Sequence, residues 1–101
     1  MYDVKNIKKL PLLGTKAPAA WKAFVAFDQA ALADGAIPKK YKELIALGVA
    51  LTTQCPYCIE IHKGNAISAG ATEEEMVEAA LVAAALRAGG AVTHATHLIG
   101  G

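Results

Sequence analysis

Apolar positions recur along this chain with helical spacing, and no stretch alternates apolar and polar residues in the two-residue rhythm of a strand. The pattern predicts an all-α protein. From Pro18, a residue suited to a first helical turn, "AAWKAFVAFDQAALADG" sets Trp21, Phe24, Val25, Phe27 and Leu32 on one broad face, and Gly35 ends the segment. A second helix starts near Pro38. Its residues Tyr41, Leu44, Ile45, Leu47, Val49 and Leu51 are apolar nearly all round, which predicts burial. Thr52 and Thr53 loosen this helix before a third, which runs from Cys55 or Pro56 to Gly70. Thr72 and Glu75 then match the S/T-x-x-E capping box, and Glu73, Glu74 and Glu75 suit the positive end of the helix dipole. That fourth helix is expected to reach Gly89 and Gly90. The final "AVTHATHLIGG" reads as a short helix after a kink or a turn, and residues 1 to about 14, with Pro11, read as an extended leader. The expectation is one compact helical domain of about five helices over residues 1–101, with a cysteine pair at the start of a central helix.

Composition changes the picture in one respect. Apolar residues make up 54% of the chain and aromatics only 6%, because alanine, which buries little area per residue, carries much of the count. A monomer would have a thin core, so the surplus apolar surface predicts a homo-oligomer. The longest clean apolar run, Ala79 to Leu86, is far short of the roughly 20 residues that span a bilayer, and Arg87 closes it, so no transmembrane helix and no membrane partner are expected. The N-terminus shows no cleavage site for secretion, which makes a cytoplasmic location the default. A net charge of +1 from scattered basic residues offers no stripe for nucleic acid.

The chemistry concentrates in "QCPYCIEIH". Two cysteines three apart on a helix share a face, and a first cysteine near the N-cap allows a disulfide. Free N–H groups of that first turn, with the helix dipole, stabilise a thiolate. His62 follows Cys58 by four residues, so its imidazole can serve that thiol as a base. If the second and third helices form an antiparallel hairpin about Thr52 and Thr53, Glu43 lies level with His62 and can orient its ring as the third member of a triad does. Rival readings stay open: zinc binding or an inert pair for the cysteines, a local ion pair with Lys39, Lys40 or Lys42 for Glu43, and either a metal site or polar surface for His94 and His97.

The segment "ELIALGVALTTQCPYCIEIH", with the spacing E-x11-C-x2-C-x3-H, and the following "HKGNAISAGATEEEMVEAALVAAAL" resemble the alkylhydroperoxidase D-like proteins of the carboxymuconolactone decarboxylase family. The resemblance covers residues 37 to 90. It implies an all-α fold assembled as trimers or hexamers, and a cysteine pair that reduces peroxides or passes electrons to a peroxiredoxin-like partner. It also implies catalytic roles for Glu43, Cys55, Cys58 and His62, with no bound cofactor and an external dithiol, such as a lipoyl group on a carrier protein, as reductant. Cys58 would attack the peroxide and Cys55 would close the disulfide. One departure is Tyr57, which stands where well-known members carry a histidine; tyrosine donates a hydrogen bond but does not titrate near neutrality, and it is a possible substrate contact or a plug over the thiols. Two further readings are a lactone-processing decarboxylase, which would need an anion pocket although Arg87 is the single arginine, and a non-enzymatic redox-sensing scaffold.

Overall fold

A computed structural model describes residues 2–101, in which every regular element is helical. A 3₁₀ turn (Val4–Lys9) leads into α1 (Leu10–Lys16), followed by α2 (Pro18–Leu32), α3 (Lys39–Thr52), α4 (Pro56–Ser68) and α5 (Glu73–His94), and a final 3₁₀ turn spans Ala95–Leu98. There are five α-helices, but they are not the five that the sequence pattern marks out. The leader is helical rather than extended: the Asp3 side chain caps it by accepting the Lys5 N–H, and Pro11 falls in the first turn of α1, where a missing N–H does no harm. Met1, the first residue of that leader, lies outside the described residues. At the other end, Gly89 and Gly90 do not end the helix, and α5 runs through them to His94. Each glycine costs about 1 kcal/mol of helix propensity, too little to break a helix with well-capped, alanine-rich flanks.

The helix ends around the centre follow their local chemistry. Thr72 and Glu75 form both hydrogen bonds of the capping box. At the end of α4, Gly70 takes a φ of 95°, the Ala71 N–H reaches the Ala66 carbonyl at 2.9 Å, and the Gly70 N–H reaches that of Ile67 at 3.0 Å. This is the Schellman arrangement, which needs a residue free to adopt positive φ. It carries Ala71 back onto Ala66, and both belong to the small core with Leu47, flanked by Leu44 and Met76.

α3 is the hub, packed against α4 on one side and α5 on the other. Lys40 ties it to α5 through a 2.8 Å ion pair with Glu75. Its all-round burial is not realised within one chain: Leu47 is buried, whereas Ile45 and Val49 are more than half exposed, as are Leu81, Val82 and Leu86 on α5 and Phe24 and Phe27 on α2. The radius of gyration is 17.0 Å, against about 13 Å for a compact chain of this length. Accessible surface amounts to 7592 Å², where a folded monomer of this mass shows about 5,400 Å². One expectation is corrected here. By length and composition, the continuous helical run Glu73–Leu98 is long and apolar enough to cross a membrane, because the glycines and Arg87 do not interrupt it.

Candidate active site

The connection between α3 and α4 places the cysteines. Thr53 closes α3, its hydroxyl donating to the Val49 carbonyl at 2.9 Å, and Gln54 then adopts the left-handed φ of 55°. That conformation is uncommon for a residue with a side chain and reverses the chain within one step. The Cys55 N–H is caught by the Ala50 carbonyl at 3.0 Å, and Cys55 becomes the N-cap of α4 with Pro56 in the first position. Its sulfur accepts the Cys58 N–H at 3.3 Å, the first-turn donor that stabilises negative charge on sulfur. Cys55 and Cys58, with Cα atoms 5.3 Å apart, are joined in a disulfide and are half-buried.

One turn beyond Cys58, the His62 Nδ1–H donates to Glu43 Oε1 at 2.6 Å. The assignment follows from the partner, since an ionised carboxylate only accepts. It leaves Nε2 as the ring's free acceptor. Glu43 is fully buried in the middle of the α3–α4 hairpin, and His62 is mostly buried. The second carboxylate oxygen, Oε2, takes the Lys39 ammonium at 3.1 Å, so the two readings of Glu43 that the sequence sets against each other hold together. Lys39 also donates to the Leu32 carbonyl at 3.3 Å, joining the end of α2 to the site. The signal for Lys39 was its i, i+4 spacing to Glu43.

Tyr57 is engaged by the N-terminal turn. Its hydroxyl accepts the Asp3 N–H at 3.2 Å and an Asn6 side-chain N–H at 3.3 Å, and its ring lies 4.7 Å from that of Tyr2. No pattern in the sequence announces this contact, which spans more than fifty residues. An apolar cleft of about 600 Å³ opens between α3, α4 and α5. Leu47, Leu51, Met76 and Ile59, the residue after Cys58, line it, with Lys63 and Glu73 as its charged residues. His94 and His97 are remote in the chain and exposed; the rings lie 6.0 Å apart, and the His94 Nδ1–H donates to the Gly90 carbonyl at 2.8 Å. Among the described residues no group of three or more metal-ligating side chains converges.

Fold and site together define a class: an all-α protein with a cysteine pair at a helix N-terminus, backed by a buried Glu–His pair. Comparison with known proteins gives this class its family. The model of the Carboxymuconolactone decarboxylase family matches residues 18–99, and the chain belongs to that family. It is similar to the uncharacterized protein 4 in the cox locus of Paracoccus denitrificans, 45% identical over 98 residues, covering 94% of this chain and 88% of that one. An uncharacterized protein of Cupriavidus necator is 39% identical over 66 residues, 65% of this chain and 58% of its own length. Among solved structures, the apo form of a carboxymuconolactone decarboxylase family protein from Legionella pneumophila superposes with a TM-score of 0.77 at 37% identity, over 82% of this chain and 75% of that one. A protein from Methanobacterium thermoautotrophicum gives 0.79 at 32% identity, over 85% and 97%.

Proposed function

We propose that the protein is a thiol-dependent oxidoreductase of the alkylhydroperoxidase D-like type, which reduces organic hydroperoxides or a partner's disulfide through a Cys55–Cys58 dithiol/disulfide cycle. The observation that carries this reading is the cysteine pair, disulfide-linked at the N-terminus of α4, with the Glu43–His62 pair one turn further on. In the reduced protein, His62 Nε2 takes the Cys58 thiol proton while Glu43 holds the ring. The thiolate attacks the terminal peroxide oxygen, the O–O bond breaks, and the alkoxide leaves as an alcohol with the proton from His62. Cys58 is then a sulfenic acid. The Cys55 thiol, whose ionisation its N-cap position favours, gives up its proton and its sulfur displaces hydroxide from Cys58; the hydroxide leaves as water with that proton and the disulfide forms. An external dithiol returns two electrons and two protons.

The apolar cleft beside Ile59 suits a hydroperoxide with a hydrocarbon body or the arm of a lipoyl group on a carrier protein, and a peroxiredoxin is the alternative partner. The cycle fits a reducing cytoplasm, where such a dithiol is maintained. We also propose that the chain works as a homotrimer or homohexamer, since its exposed apolar faces exceed what a monomer leaves open. The lactone-processing reading finds less support: Arg87, its one guanidinium, lines a groove with Ile45, Val49 and Leu86. The test is consumption of cumene or tert-butyl hydroperoxide with dihydrolipoamide. Wild type should turn over, and Cys55→Ser and Cys58→Ser should both abolish it. Turnover surviving both substitutions, or absent from wild type, rejects the peroxidase.

A further inference from the structure

We propose that Lys39 is a positioning residue for this site, one that keeps His62 in the neutral Nδ1–H form by supplying the counter-charge for buried Glu43. The inference rests on the reading of His62 as the base, but its central measurement does not need turnover. Lys39 Nζ lies 3.1 Å from Glu43 Oε2, and the opposite oxygen lies 2.6 Å from His62 Nδ1, so one carboxylate joins two possible cations. An exposed i, i+4 pair is worth little, because water screens it and two long side chains must be held. This pair differs. The Glu43 side chain has no exposure, whereas that of Lys39 is 44% exposed. A buried carboxylate without a cation is strongly disfavoured, and an ammonium that is half in water provides the balance at small desolvation cost.

Charge decides what the imidazole does. With Lys39 in place, the carboxylate is balanced and His62 need only donate its Nδ1–H, which leaves Nε2 open to take a thiol proton. Without Lys39, His62 is the one remaining cation within reach, and a proton is drawn onto Nε2 to form an imidazolium–carboxylate pair. The base is then already occupied. Among the described residues, the charged side chains on the Glu43 carboxylate are Lys39 from α3 and His62 from α4. Their neighbours are engaged elsewhere: Lys40 is held by Glu75 of α5, and Lys42 donates to the Ala33 carbonyl after α2 at 2.7 Å. Lys42 therefore offers a control. It ties the same α2–α3 corner as the Lys39 contact to Leu32, without touching the carboxylate.

The experiment is ¹⁵N spectroscopy of the His62 ring at pH 7.5 in the disulfide form of the full chain, where no thiol proton enters the balance. Wild type should show Nδ1 protonated and Nε2 unprotonated. Lys39→Met and Lys39→Gln should lose the unprotonated Nε2 signal, the glutamine variant retaining a polar side chain without the charge. Lys39→Arg should restore the signal, and Lys42→Met should leave it as in wild type. Peroxide turnover should follow the ring state, falling at least about a hundredfold in the two neutral variants, the low end of what a general base contributes. The proposal is overturned if wild-type His62 is already an imidazolium, if both neutral variants keep the wild-type ring state, or if Lys42→Met reproduces their loss. Absence of turnover in wild type would count against the peroxidase alone, while the ring state still judges Lys39.

Discussion

At the scale of single residues, Glu43 carries the most. It is the one fully buried charged side chain among the described residues, and its two oxygens are divided between helix α4 and its own helix. Glu43→Ala removes the acceptor of the Lys39 ammonium and of the His62 Nδ1–H and leaves a void, and it should cost about 1 to 3 kcal/mol in urea unfolding, as leaving a buried donor without its partner does. Glu43→Gln keeps the shape and should retain the fold while losing turnover. An alanine variant as stable as wild type would mean that the carboxylate is not structurally committed as described. Glu43, Cys55, Cys58 and His62 were legible in the sequence because helical spacing and one hairpin centre suffice to place them. Lys39 was visible only as a rival to His62, since spacing lists possible partners but burial decides whether both are needed. Gln54 was not legible at all: glutamine carries no left-handed preference, and its φ is set by the tight reversal between two helices that are packed together.

At the scale of elements, local chemistry decided the helix ends and tertiary docking decided the leader. Thr72→Ala removes the capping box of α5 and should cost about 1 kcal/mol in thermal or urea unfolding. The Lys40–Glu75 ion pair adds a pH dependence of known sign. The hydrogen bond from Lys40, then that from Thr72, holds the Glu75 carboxyl below its ordinary value of 4.5, so its contribution is full above that pH and is lost as pH falls through the lowered value. A melting temperature that falls more steeply in acid for wild type than for Lys40→Met is the expected result; parallel curves would show that the pair contributes nothing. Tyr57→Phe deletes the acceptor for Asp3 and Asn6, and trypsin should then cut faster at Lys5, Lys8 or Lys9. Unchanged cleavage would assign the docking to the Tyr2–Tyr57 ring contact. The leader escapes a reading by periodicity because it is short, and short helices take their stability from what they pack on.

At the scale of the whole molecule, the chain exposes roughly 2,000 Å² more than a compact monomer of its mass, comparable with what each subunit of an obligate assembly gives up. Sedimentation equilibrium should find a multiple of the 10.5 kDa chain mass. Leu86→Glu, on the exposed face of α5, should shift the distribution toward the single chain. A wild-type monomer at micromolar concentration would remove the assembly, and the apolar run Glu73–Leu98 would then need another cover. The sequence by itself determined the helical class, the register of the α3–α4 hairpin and the chemical identity of the site, because periodicity, caps and i, i+4 spacing act over a few residues. Only the tertiary structure decided that Glu43 is buried between an ammonium and an imidazole, that Tyr57 is held by the N-terminus and that α5 continues through its glycines. Each depends on what lies across a contact, and burial and electrostatic balance are properties of neighbours that are distant in the chain.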